Sequence, residues 1–334
     1  MPVGSSLLLL KSKSLLVVAA IGFCLAEAGA AHAQSDFVGT RALGMGEALR
    51  ANAAGAAAVI LNPAGMSLSK GYVIEASYGL RVEDLGHHAF VGIVDSVTSR
   101  IAAGLWYEYI HAKPTIGFNW AGGFVPRSKL TREGHAAGLS LSMALGERFL
   151  LGVSVRYLHF NTDAPLPSGT VPSSLKLDNV NGITFDVGLL VRVLPKLQIA
   201  LVGYNLWDHG SRETPTSLGF GLAFIPIPQL SIDFDGVANF TGYKKAVYDK
   251  MNPAVIAKFD TQVTGRFGPG IEWLVANKVP VRIGALYDTA LTAAYLTGGV
   301  GYFSQSFAVD LSYRGKVSGG REDFLMLGLR IFIN

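Results

Sequence analysis

The sequence predicts an all-β fold: a transmembrane antiparallel up-and-down β-barrel of about fourteen strands, with a small N-terminal hatch inside its lumen. Three observations lead there. Mean hydropathy is high at +0.36, with 50% hydrophobic and only 16% charged residues among 334, yet after about residue 30 no apolar run is long enough for a membrane helix. The chain instead breaks into short segments whose apolar and polar residues alternate, a pattern that a helix-length window does not register. The connections between these segments alternate between short and long. Composition alone would equally suit a soluble all-β protein; the connections separate the two.

The first element is a leader. Lys11 and Lys13 precede an apolar stretch at 15–26, and Ala31-His32-Ala33 supplies a small-x-small cleavage site, so residues 1–33 read as a signal peptide to be removed. The only cysteine, Cys24, falls within it, and Phe23 before it argues against a lipoprotein. A mature chain without thiols has no disulfide, thiol catalysis or cysteine-bound metal. Net charge is +4 with no basic run, which gives no support for a nucleic-acid partner.

Residues 34–70 do not read as strand. The block Gly39 to Leu49 and the alanine-rich stretch at 51–59 are small-residue and partly helical in character, and the segment closes on Leu61-Asn62-Pro63-Ala64-Gly65-Met66. Asn-Pro favours a turn. Such a segment suits a compact plug packed in a barrel lumen, where close approach favours Gly and Ala.

From residue 71 to 334 the strands follow. In 72–80, Tyr72, Ile74, Ala76, Tyr78 and Leu80 share one face and Val73, Glu75, Ser77 and Gly79 the other. Residues 149–157 repeat this, with Phe149, Leu151, Val153, Val155 and Tyr157 opposed to Gly152, Ser154 and Arg156. Side chains alternate across a strand, so each segment has one apolar and one polar, glycine-rich face. Fourteen strands are predicted, near 71–81, 87–95, 100–111, 134–145, 149–160, 182–193, 197–206, 215–225, 229–239, 263–276, 281–288, 294–303, 306–315 and 323–334. Tight turns at 96–99, 146–148, 194–196, 226–228 and 304–305 alternate with long connections at 112–133, 161–181, 207–214, 240–262 and 316–322. Short turns at one rim and long loops at the other mark outer-membrane barrels, and an even strand number puts both barrel ends on the periplasmic side. The last strand sets Leu325, Leu327, Leu329, Ile331 and Ile333 on one face. It looks like the C-terminal strand that the barrel assembly machinery reads, although that strand usually ends in an aromatic and this one ends Phe332-Ile333-Asn334.

Arg41-Ala42-Leu43-Gly44-Met45-Gly46, followed by Asn62-Pro63-Ala64-Gly65, resembles the N-terminal hatch of the FadL-like outer-membrane transport superfamily, which includes long-chain fatty-acid channels and PorV-like barrels. The resemblance implies a fourteen-stranded barrel integral to the Gram-negative outer membrane and plugged from the periplasmic side. It also implies passive uptake of hydrophobic or amphipathic, fatty-acid-like molecules, surrounding outer-membrane lipid, and hatch or gating roles for Arg41, Gly44, Gly46, Asn62, Pro63 and Ala64. A PorV-like, non-transporting partner in protein export or surface attachment is the alternative.

Two loops draw attention. The connection at 113–133 carries Ile116, Phe118, Trp120 and Phe124, an apolar set for an exposed loop; such patches mark either a ligand site or packing on the rim. The connection at 240–262 has Tyr243, Val247 and Met251 at helical spacing before Asn252-Pro253, which predicts a short extracellular helix. On the polar faces Arg156, Arg192, Arg282, Arg314 and Arg330 occur with Asp186, Asp233, Asp235, Glu272 and Asp310, read as a lumen network of paired charges or, more sharply, as a path for a carboxylate head group. No phosphate loop, zinc spacing or Gly-x-Ser-x-Gly elbow occurs, so neither an enzyme nor a cofactor nor a metal site is expected. His87 and His88 are adjacent and should face opposite ways, while His111, His135, His159 and His209 lie near strand ends.

Overall fold

A computed structural model describes residues 38–120, 123–165, 174–248, 256–318 and 322–333; the predicted leader at 1–33 lies outside them. The strands in chain order are β1 (Tyr72–Arg81), β2 (Gly86–Asp95), β3 (Ile101–Ala112), β4 (Thr115–Trp120), β5 (Gly123–Lys129), β6 (Thr131–Leu145), β7 (Phe149–Pro165), β8 (Ser174–Leu194) and β9 (Leu197–Tyr204). They continue as β10 (Ser217–Ile227), β11 (Leu230–Asn239), β12 (Lys244–Tyr248), β13 (Ile256–Thr261), β14 (Thr264–Val275), β15 (Val279–Asp288), β16 (Ala293–Phe303), β17 (Phe307–Lys316) and β18 (Asp323–Ile333). Leaving out the hairpins β4–β5 and β12–β13, the remaining fourteen strands form one closed antiparallel barrel in sequential order, and each corresponds to a strand read from the sequence.

The barrel closes where β1 pairs with β18, in unbroken register from Tyr72 opposite Ile333 to Arg81 opposite Phe324. In hydrocarbon every backbone N–H and C=O needs an internal partner, and closure leaves no edge to satisfy. Burial along the strands is inverted relative to a soluble protein. In β1 the buried residues are Val73, Glu75, Ser77, Gly79 and Arg81, while Ala76 and Tyr78 are exposed. The apolar faces therefore point to lipid and the polar faces into the lumen.

The described part of the N-terminal segment, from residue 38 on, lies within the lumen. It forms short helical turns at Thr40–Leu43, Gly55–Ala57, Ala58–Leu61 and Pro63–Ser67, and Leu43, Met45, Leu49, Ala58 and Val59 are fully buried. One side of it packs on inward-facing apolar residues of β2, β3, β6, β7 and β18, among them Phe90, Trp106, Ile110, Leu158 and Phe324. The opposite wall, from β11 to β17, presents Asp233, Asp235, Arg266, Arg282, Asp310 and Arg314, all buried. The main apolar cluster of the lumen thus lies on the side of β2 to β7, among buried Glu108, Arg132 and Arg156, while the wall from β11 to β17 is predominantly charged.

Two features depart from expectation. The described residues of the connection at 240–262 hold no helix: β12 and β13 pair as antiparallel strands with Lys244 opposite Thr261 and Ala246 opposite Phe259. Val247, Tyr248 and Ile256 favour extended backbone, and cross-strand pairing outweighs the helical spacing of Tyr243 and Val247; Met251, Asn252 and Pro253 lie outside the described residues. Strands β7 and β8, of 17 and 21 residues, are also longer than read. A membrane strand needs about 9–11 residues, so this pair continues beyond the bilayer on the long-loop side. A charge on the lipid face tests the assignment: Leu105→Arg, at the middle of β3, should cost about 2–4 kcal/mol of stability in lipid vesicles, measured by denaturant titration of the refolded barrel.

Candidate functional site

The contact between plug and wall is built from polar clamps set among tight glycine contacts. Arg41, on the first helical turn, forks onto Glu272 of β14, with Nη2 to Oε1 at 2.7 Å and Nε to Oε2 at 3.0 Å, and its Nη1 donates to the Asn52 carbonyl at 3.1 Å. Two donors on one carboxylate give a directional bond that lysine could not reproduce. Glu272 also accepts from Arg282 Nε at 2.6 Å, Arg282 reaches Asp310 at 2.7 Å, and Asp310 takes Arg330 at 2.6 Å. An alternating row of charges therefore runs from the plug across β14, β15, β17 and β18.

Gly44 and Gly46 lie against β15 and β16. Gly46 adopts φ +65° and a Cβ there would fall 2.3 Å from the Ala285 carbonyl oxygen, so only glycine fits. Its N–H donates to Thr297 Oγ1 at 2.8 Å, and that hydroxyl donates to the Gly44 carbonyl at 3.2 Å. Glu47 follows, itself at φ 66°, and its Oε1 accepts from Arg266 at 2.6 Å and from Arg314 at 2.9 Å. The next turn is held by Asp235 of β11, whose Oδ2 accepts the Leu49 and Arg50 N–H groups at 2.8 and 2.7 Å. Arg50 Nε donates to Tyr204 at 2.8 Å, and the Tyr204 hydroxyl donates to the Leu61 carbonyl.

Asn62-Pro63-Ala64 forms the third contact. Asn62 caps the turn that Pro63 opens: its Oδ1 accepts the Ala64 N–H at 3.1 Å and its Nδ2 donates to the Arg50 carbonyl at 3.0 Å. The turn sits on two inward glycines. A Cβ at Gly188 would lie 2.2 Å from Asn62 Oδ1, and one at Gly152 would lie 2.2 Å from the Ala64 nitrogen. Ser142 Oγ donates to the Ala64 carbonyl at 3.0 Å and lies 2.8 Å from Ser67 Oγ.

The structure thus gathers Arg41, Gly44, Gly46, Asn62, Pro63 and Ala64 in the lumen, at three places along the wall. Ile116, Phe118, Trp120 and Phe124 belong to the β4–β5 hairpin, and their side chains lie outside the described residues. The paired strand charges exist as read for Arg156 with Asp186 at 2.8 Å and for Arg282 and Arg330. Arg192 differs: its guanidinium donates to the Glu147 and Leu68 carbonyls. Sequence reasoning missed Glu47, Arg50 and Thr297 as plug anchors and Gly152 and Gly188 as its seat. Strand parity marks Gly152 and Gly188 as inward, but their partners on the plug follow from no local pattern.

Two voids flank the plug. The one toward the long loops, about 70 Å³, is lined by Val38, Ile60, Leu158 and Phe160 together with Glu47, Arg50 and Arg156. The periplasmic one, about 270 Å³, is lined by Arg41, Asn52, Glu272, Arg282 and Arg330. A dry cavity of about 150 Å³ accommodates benzene, so the loop-side void is too small for one aromatic ring.

No protein-family model matches the sequence, and neither does any curated protein. Solved structures do resemble it. A monoaromatic hydrocarbon channel, CymD, has TM-score 0.67 at 16% identity, covering 89% of this chain and 98% of that one. The Ralstonia pickettii toluene transporter TbuX has TM-score 0.68 at 14% identity over the same shares. A Pseudomonas aeruginosa FadL homologue has TM-score 0.64 at 12% identity, again over 89% and 98%. The fold is FadL-like, as the hatch motif implied.

The clamps carry a measurable cost. Glu47→Ala leaves Arg266 and Arg314 without their shared carboxylate in a buried setting and should destabilise the barrel by about 3 kcal/mol. Glu133→Ala, on the exposed rim, should stay within about 0.5 kcal/mol; denaturant midpoints of the two variants compare them.

Proposed function

We propose that this FadL-like barrel is an outer-membrane channel for passive uptake of small hydrophobic or amphipathic molecules, with residues 1–33 as the leader, 34–70 as the hatch and 71–334 as the barrel. The observation that carries the proposal is the apolar cluster between the hatch and one side of the wall. Ion pairs tie the hatch to the charged wall, while toward β3 and β7 its Val59, Leu61 and Met66 share one apolar cluster with Trp106, Ile110, Leu158 and Phe160. Apolar contacts are non-directional and can be exchanged for an apolar guest without leaving a polar group unpaired, so a guest enters along that side. Arg41, Gly44, Gly46, Asn62, Pro63 and Ala64 hold the hatch in its closed position.

Several structural neighbours bear names that specify toluene or monoaromatic hydrocarbons, and on that support a ring-sized apolar molecule is a better candidate than a long-chain fatty acid. The apolar residues of the 113–133 loop, Ile116, Phe118, Trp120 and Phe124, are proposed as the first capture site.

Stapling the hatch tests gating. Ser67→Cys with Ser142→Cys joins two hydroxyl positions 2.8 Å apart in a chain whose sole cysteine is Cys24. Toluene uptake by cells expressing the oxidised variant should fall to the level of barrel-free cells and return on reduction. Unchanged uptake in the staple would refute gating; absence of uptake of toluene and oleate by the native barrel would refute the channel and favour the partner role.

A further inference from the structure

The outer surface carries an arc of histidines near the long-loop ends of neighbouring strands. His111 of β3 stands opposite His87 of β2, His135 of β6 opposite Tyr109 of β3, and His159 of β7 opposite both His135 and Asn181 of β8. Their rings meet in series: His87 to His111 at 6.5 Å, Tyr109 to His135 at 5.0 Å and His135 to His159 at 6.3 Å. All lie on the outward parity of their strands, continuing the exposed apolar rows that include Leu105 and Tyr107 on β3, Leu139 on β6 and Val155 and Tyr157 on β7.

Height identifies what they face. His111, His135 and His159 each lie ten residues from an exposed apolar residue at the short-turn end of the same strand, Ile101, Leu145 and Phe149. Ten residues are about 33 Å of strand, or about 25 Å along the axis at a tilt of about 40°. That is the height of the lipid-facing band, so the imidazoles stand at its upper border, where headgroups of the outer leaflet begin. Imidazole is also the side chain whose charge changes between about pH 5 and pH 8.

We propose that this arc binds the phosphate groups of outer-leaflet lipids, and binds them more tightly as the imidazoles take up protons. Protonated rings present N–H donors to phosphate oxygens. The groups facing them are few. Tyr78 contacts His87, Tyr107 hydrogen-bonds His135 at 2.6 Å, and Asn161 lies 3.0 Å from His159. Glu133 is the one acidic neighbour described in contact, opposite His111 and 3.8 Å from His135. His111 Nδ1 is itself buried, without a hydrogen-bond partner among the described residues, so contact with lipid falls to the rest of the ring. The arc rests on the membrane placement of the barrel and not on what the lumen carries.

The test uses the full barrel in detergent, equilibrated with mixed micelles of phosphatidylglycerol and phosphatidylcholine and separated by gel filtration at about pH 7.5 and about pH 5.5. The preference for phosphatidylglycerol should rise at least about tenfold at the lower pH. Each double variant, His87→Gln with His111→Gln and His135→Gln with His159→Gln, should lose part of the rise, and the quadruple variant all of it. Heat-dependent gel mobility verifies that each variant is folded, and the two doubles report independently. A native barrel whose preference does not change with pH, or a quadruple variant that keeps the full rise, would overturn the proposal.

Discussion

Closure of the sheet is the constraint on which everything else in this molecule rests. The ten-residue register between β1 and β18 removes the last row of unpaired backbone groups, and only then can the strands turn their apolar faces to hydrocarbon. Inversion follows directly. Residues that would form the core of a soluble sandwich become the outer surface, and the polar faces, including Glu75, Asp235, Arg282 and Arg314, are gathered inside. Charges in so confined a space need partners, and the N-terminal segment brings three of its own, Arg41, Glu47 and Arg50, into that network.

The filling of the lumen follows from the size of its residues. A chain segment fits between the walls only if both surfaces give way, and they do so with glycine and alanine: Gly46 against the Ala285 carbonyl, and Asn62 and Ala64 against Gly188 and Gly152. Close approach brings backbone donors and acceptors within reach of Thr297, Ser142 and Asp235, so small residues and polar clamps are two aspects of one fit. On the opposite side the same segment joins an apolar cluster, with Ser140 and Ser142 of β6 among its polar contacts. The seal is mainly ionic on one side and mainly apolar on the other.

Much of this was legible in the sequence because the governing signals are local. Period-two alternation in segments such as 72–80 and 149–157 shows where a strand runs and which face meets lipid, and all fourteen barrel strands emerged from it. Strand ends beyond the bilayer were not legible: β7 and β8 support one another through pairs such as Thr162 with Asp178, an interaction between distant segments. The hairpin of β12 and β13 was missed for the same reason, since helical spacing within one segment says nothing about a partner strand. For the hatch, the motif Arg41 to Gly46 with Asn62-Pro63-Ala64 located the segment. That Glu47 should meet Arg266 and Arg314 depends on the stagger of the closed barrel, which no short stretch of sequence encodes.

The clamps of the plug also join the first part of the chain to the last. Arg41 and Glu272 are 231 residues apart, and Glu47 and Arg314 are 267 apart. Closing contacts of such separation costs more loop entropy than closing near ones. Until β17 is in place Glu47 has no Arg314 to bind. The plug is therefore fully fastened only when one of the last strands has joined the sheet.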